Sequence, residues 1–158
     1  MNLPSPRFAV LALAALLAAA AAAPANASVR VDDSGTLVST PVAPMRWRQL
    51  VPGRGADNTV EAQVRVALRL NLAPWLNQQV SLYMGLPASA AAPVIQASWR
   101  TQGRLLAGSL RSGTRALVFQ GRVTAPVLEE TIDLYLATDG RLLTQNQDLP
   151  FFFEVDTP

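Results

Sequence analysis

From residue 60 to residue 72 the chain alternates without a break. Val60, Ala62, Val64, Val66, Leu68, Leu70 and Leu72 are apolar, and Glu61, Gln63, Arg65, Ala67, Arg69 and Asn71 stand between them. Successive Cβ atoms of a strand point to opposite faces of a sheet, so period two predicts a strand with one buried and one wet face. A helix would scatter the polar residues around its circumference. Thirteen residues exceed the usual strand of about five or six, so a bend or bulge is expected within the run.

The same pattern recurs downstream. Val80, Leu82, Met84 and Leu86 alternate with Ser81, Tyr83 and Gly85. Ile95, Ala97 and Trp99 alternate with Gln96, Ser98 and Arg100. Leu128, Ile132, Leu134 and Leu136 are set against Glu129, Thr131, Asp133 and Tyr135, with Glu130 breaking the apolar side. After Pro150, Phe151, Phe153 and Val155 alternate with Phe152, Glu154 and Asp156. Residues 104–110 and 115–120 flank Ser112-Gly113, a turn pair, and read as two more strands. In the second, Leu117 and Phe119 share one face and Ala116 and Val118 the other. Both faces are apolar, which predicts a central strand.

The interruptions are turns. Residues 73–77 hold Pro74 and Asn77, residues 88–93 are a small-residue loop, and Gln102-Gly103 is expected at a hairpin tip. Asp139-Gly140 is the strongest hairpin signal, since glycine accepts the positive φ of a tight turn. Before residue 60, residues 29–31 and 36–40 suit short edge strands. Pro41, Pro44 and Pro52 exclude a central strand there, and residues 51–58 read as an exposed loop.

About seven short strands with turns between neighbours predict an all-β fold, an antiparallel two-layer β-sandwich of immunoglobulin-like type. A small β-barrel is the alternative. Trp99 on a middle strand and Tyr135 on a late one suit the sandwich, and Asp133-Leu134-Tyr135 weakly echoes a tyrosine-corner segment. The paired cysteines of that architecture are missing.

The N-terminus changes the picture of where the chain works. Residues 1–7 are polar with one arginine, residues 8–23 are sixteen uncharged residues dominated by alanine and leucine, and Ala25-Asn26-Ala27 supplies small residues at cleavage offsets. That is the layout of a secretory signal peptide. The run falls short of the roughly 20 apolar residues of a membrane span, so no stable span is expected after cleavage. The expected organisation is a removed leader, 1–27, then one domain, 28–158. Within that domain, 28–58 is an extended edge segment and 59–158 the sandwich. Such a size needs no staple, which agrees with the absence of cysteine.

All 13 basic residues are arginine, and lysine is absent. GC-rich codons explain both, and with the leader they predict a bacterial cell-envelope protein, periplasmic or secreted. Without Arg7 the count is 12 arginines against 11 acids, too balanced for nucleic acid, which requires clustered positive charge.

Candidate chemistry is thin. The chain has no histidine, cysteine or lysine. This removes catalytic triads, thiol and Schiff-base catalysis, and His- or thiolate-ligated metals. No catalytic residue, cofactor or metal ligand is assigned. Glu129, Glu130 and Asp133 form the densest acidic cluster, but a glycosidase pair must face each other across a sugar, and on a strand Glu130 points away from the other two. Asp32, Asp33 and Asp57 lack the spacing of a calcium loop.

The candidate partner contacts are Arg46, Trp47, Arg48 and Trp75, because arginine and tryptophan are enriched at interface hot spots. On an extended segment Arg46 and Arg48 take one face, and Met45 and Trp47 the other. Glu61, Arg65 and Arg69 are expected to form ion pairs on the wet face of their strand. The leading expectation is therefore a non-enzymatic envelope protein that binds a protein partner. The alternatives are a pilus or surface-assembly subunit using strand addition through residues 28–42, and a carbohydrate-binding module or carboxylate-based hydrolase.

Overall fold

The computed structural model describes residues 28–39, 44–49, 54–88, 93–142 and 150–158. The expected leader and parts of the loops at 51–58 and 88–93 lie outside these residues. The described chain folds into two antiparallel sheets packed face to face, a β-sandwich that does not close into a barrel. Seven strands of four or more residues build it: β4 (Thr59–Asn71), β5 (Gln79–Leu86), β6 (Gln96–Thr101), β7 (Gly108–Arg111), β8 (Thr114–Arg122), β9 (Val127–Asp139) and β10 (Phe152–Asp156). Three two-residue strands, β1 (Val29–Arg30), β2 (Leu37–Val38) and β3 (Arg46–Trp47), complete the edges.

One sheet has the order β1-β10-β5-β8, and the other β2-β4-β9-β6-β7 with β3 also on β4. The centre of the larger sheet is the pairing of β4 with β9, which runs unshifted from Thr59↔Asp139 to Asn71↔Val127. Of the bend or bulge expected in β4, no bulge interrupts this pairing. On β4 every apolar position from Val60 to Leu70 is buried and every alternate residue from Glu61 to Asn71 is exposed. β9 buries Leu128, Ile132, Leu134 and Leu136 against the same core, where they meet Leu82, Met84, Phe153 and Val155 of the other sheet.

Three sequence expectations are corrected. The strand at 115–120 is not central: β8 is the edge of its sheet. Its register on β5 shifts between Leu82 and Tyr83, which face Phe119 and Leu117 respectively. Val118 is the extra residue of a bulge, and a bulge reverses the alternation. Leu117 and Phe119 thus fall on different faces, and the doubly apolar pattern records a bulge.

Gln102-Gly103 does lie at the tip of a hairpin, the one joining β6 to β7, but the connection is longer than a two-residue turn. The strand expected from residue 104 begins only at Gly108. Glu130 holds the intervening loop, accepting hydrogen bonds from the Arg104 N–H at 2.8 Å, the Leu105 N–H at 3.1 Å and the Thr101 hydroxyl. The residue that interrupts the apolar side of β9 is thus half-buried and fully engaged.

Among the described residues, Asp139-Gly140 closes no hairpin. β9 and the strand after it, β10, lie in different sheets. Gly140 opens a 3-10 turn, and its φ is not among the positive ones. Gly113 does carry the positive φ, +82°, of the turn between β7 and β8.

The N-terminal segment straps the side of the sandwich opposite that turn. Val29 pairs with Val155 on the smaller sheet, and Asp32 bridges Asn71 on the larger. Val31, between them, is 2% exposed. Residues 28–39 therefore pair within their own chain, on the edges of both sheets.

The inward and outward positions of one strand carry opposite energetic weight. Leu82→Ala, at a site with 0% exposure, is expected to lower unfolding free energy by about 2–5 kcal/mol. Ser81→Ala, facing outward next to it, should change it by no more than about 0.5 kcal/mol. Urea unfolding of the two variants measures the difference.

Candidate functional site

The outer face of the larger sheet forms an open groove of ≈ 1040 Å³. Register explains its lining, since residues directly opposite in an antiparallel pair share a face. One row crosses five strands: Arg46 faces Glu61, Glu61 faces Ala137, Ala137 faces Gln96, and Gln96 faces Arg111. The next row crosses four: Gln63, Tyr135, Ser98 and Ser109. All of these line the groove. The two rows are thus amide, hydroxyl and guanidinium groups with one carboxylate, Glu61, and Ala137 as the one apolar side chain, and Pro44 and Trp47 add to the lining beside β3.

Tyr135 stands near the middle. Its hydroxyl accepts a hydrogen bond from the Gln63 amide at 3.4 Å, and the Arg100 guanidinium lies 5.6 Å from its ring centre. It sits on the outer face, so the tyrosine-corner echo has no counterpart. Trp99, the other sandwich residue singled out, is buried and donates its indole N–H to the Leu106 carbonyl at 2.8 Å.

The Arg46-Trp47-Arg48 segment forms one bank. Pairing on β4 divides it as expected: Arg46 shares the face of Glu61, and Trp47 that of Val60. Met45 packs against the core. The Trp47 ring turns to Val60 and Gly140, where a Cβ on Gly140 would meet it at 2.6 Å. It remains 42% exposed at the end of the sheet. Arg48 is clasped by two acids, its Nε lying 2.8 Å from Glu61 Oε1 and its Nη1 3.1 Å from Asp57 Oδ2. The hydrogen bond to Glu61 holds the Arg48 guanidinium above its usual pKa range. Bonds from Thr59, and then from Arg48, hold Asp57 below the usual carboxylate range. Arg46 and Arg111 take part in no ion pair among the described residues.

Trp75 does not join this surface. It sits in the 3-10 turn after β4, 8% exposed, and closes the far end of the core. Trp47 pairs at the beginning of β4, so the length of β4, more than about 30 Å at ~3.3 Å per residue, separates the two tryptophans. Asp32 and Asp57 likewise lie at opposite ends of that strand, one bridging Asn71 and the other bonded to Thr59. Among the described residues, no three His, Cys, Asp or Glu side chains come together as a metal-holding group.

The acidic cluster is dispersed as well. Arg69 lies 3.4 Å from Glu129, Arg65 lies 2.9 Å from Asp133, and Glu130 is spent on the loop described above. The ion pairs expected on the wet face of β4 thus form with its neighbours. Glu61 is the one carboxylate in the groove lining, and Arg48 occupies it.

No family model, no curated protein and no solved structure matches this chain.

Sequence reasoning singled out Arg46 and Arg48 but missed Arg111, Gln63, Gln96, Ser98, Ser109 and Tyr135 as a group. Each is an ordinary outward residue of an alternating strand. Only the pairing register collects them.

The carboxylates set the acid limit of the fold. Asp57 and Asp156 lie below their usual range, and the bond to Arg141 holds Asp139 at about 2. A carboxylate depressed in the folded state contributes stability above its unfolded pKa and loses it as pH falls through the folded value. The thermal midpoint should therefore fall between about pH 4 and pH 2, and stay level from about pH 5.5 to 9, since no histidine titrates there. Asp139→Asn should shrink the acid fall. A thermal melt series in pH checks both.

Proposed function

We propose that this chain is a non-enzymatic binding protein of the bacterial envelope. It is exported by its leader and holds a macromolecular partner in the groove on the larger sheet. One observation carries the reading: two rows of largely polar side chains, from strands far apart in sequence, converge on one face, where Glu61 is taken up by Arg48 while Arg46 and Arg111 enter no ion pair among the described residues.

The opposite face of the sandwich provides the contrast. There the Arg115 guanidinium lies 4.3 Å from the Tyr83 ring centre and bonds Asp156 at 2.9 Å, while Arg30 covers Phe152 at 4.7 Å. Those groups are matched internally. In the groove, Arg46 and Arg111 at the two banks enter no ion pair among the described residues. A binding rather than a catalytic role accords with a sequence lacking histidine, cysteine and lysine, and with a groove whose one carboxylate is clasped by arginine. Strand addition through the N-terminal segment draws less support, because residues 28–39 already pair in cis.

Benzophenone photocrosslinking in cells tests the proposal. The probe abstracts C–H hydrogens from peptide or glycan alike. Placed at Ser98 in the groove, it should give an adduct. Placed at Gln120, exposed on β8, it should give none. Equal adducts at both positions, or none at Ser98, would sink the assignment of the groove.

A further inference from the structure

The charge in the groove is one-sided. Three arginines and one glutamate line it, and the glutamate is already bonded to Arg48. The two cations outside the described ion pairs, Arg46 and Arg111, end the same row. Four interstrand steps of ~4.8 Å place their strands about 19 Å apart. Between them lie Glu61, held by Arg48, then Ala137 and Gln96, with Gln63, Tyr135, Ser98 and Ser109 in the adjoining row.

Each of these groups selects for the same kind of ligand. A guanidinium fork matches a carboxylate with two parallel hydrogen bonds. Primary amides and hydroxyls both donate and accept, as sugar hydroxyls do. A protein partner would look for other features. An extended peptide gains affinity from backbone pairing at a sheet edge, whereas this floor is mid-sheet, where β4, β9 and β6 are paired on both sides. Protein hot spots need apolar or aromatic anchors in pockets. The exposed side chains Leu37, Val38, Val94, Leu106 and Leu142 all lie outside the groove lining. Trp47 is part of the lining and 42% exposed, but it lies at the end of the sheet on the face of Val60, its ring against Val60 and Gly140, not on the floor between the two banks.

We infer that the groove takes an anionic polysaccharide, with Arg46 and Arg111 on its carboxylates and Gln63, Gln96, Ser98 and Ser109 on its hydroxyls. This rests on the groove being the binding face and goes on to name its occupant.

Isothermal titration with three probes tests it. The first is an oligogalacturonate. The second is the same oligosaccharide with its carboxylates reduced to alcohols. The third is a polyglutamate of equal charge. The oligogalacturonate should bind, and the reduced sugar and the polyglutamate should bind about tenfold more weakly or not at all. Arg46→Gln with Arg111→Gln should weaken oligogalacturonate at least about tenfold, with the melting profile unchanged. Arg122→Gln, on β8 outside the groove, should leave binding as it was. Polyglutamate binding as tightly as the sugar would overturn the inference in favour of an acidic peptide. Equal binding of the reduced sugar would overturn the role of charge. If no probe binds while the Ser98 adduct persists, the polysaccharide is wrong and the groove stands. If the adduct is missing too, both readings fall.

Discussion

The unshifted ladder between β4 and β9 is the constraint on which the rest depends. Thirteen consecutive pairs fix the inward set, Val60 to Leu70 on one strand and Leu128 to Thr138 on the other. Burial of a large aliphatic side chain contributes about 1.5–3 kcal/mol, so the inward set specifies the register strongly. A slip of one residue would exchange the two faces, placing Gln63 in the core and Val64 in water. The register that fills the core is therefore the register that aligns Gln63 with Tyr135, and Glu61 with Ala137. β6 extends both rows by pairing Ser98 with Tyr135 and Gln96 with Ala137. Fold and groove are two faces of one ladder.

The two outer surfaces of the sandwich then differ in how their charges are spent. On the smaller sheet, Arg30 lies over the Phe152 ring and Arg115 over the Tyr83 ring and against Glu154 and Asp156, while Arg122 at the end of β8 enters no ion pair among the described residues. Along the far half of β4, Arg65 and Arg69 pair with Asp133 and Glu129. Exposed pairs of this kind contribute only about 0–1 kcal/mol each, so their main effect is to leave little free charge. The groove keeps free charge at its two banks. Edge protection follows a similar economy. From Val38, paired with Val66, to Arg46, paired with Glu61, the chain advances eight positions while β4 advances five. A broken, proline-bearing edge of this kind is a poor template for another chain.

Much of the architecture was legible because period two is a local property. The alternations of β4, β5, β6 and β10, and the turn at Ser112-Gly113, could be read directly. What failed was non-local. Val118 looks like any other apolar residue until its partner strand shows that it has no counterpart. Asp139-Gly140 has hairpin chemistry, yet the chain after β9 crosses to the other sheet. Glu130 looks like a flaw in a strand until the 102–107 loop folds onto it. Trp75 is an aromatic in a turn whether it faces water or core. The groove is the largest omission: Arg46, Tyr135 and Arg111 share one face only through four successive strand pairings, and no spacing along the chain encodes that.

The central claim is that neighbouring positions on β4 serve separate ends, the inward ones holding the fold and the outward ones the ligand. Comparing Val64→Ala with Gln63→Ala in both unfolding and groove crosslinking tests this most directly. Val64→Ala should lower stability by roughly 2 kcal/mol and leave the Ser98 adduct intact under folding conditions. Gln63→Ala should leave stability within about 0.5 kcal/mol and weaken the adduct. If both variants changed stability alone, with the adduct untouched by Gln63→Ala, the outer face would be mere covering and the account would be contradicted.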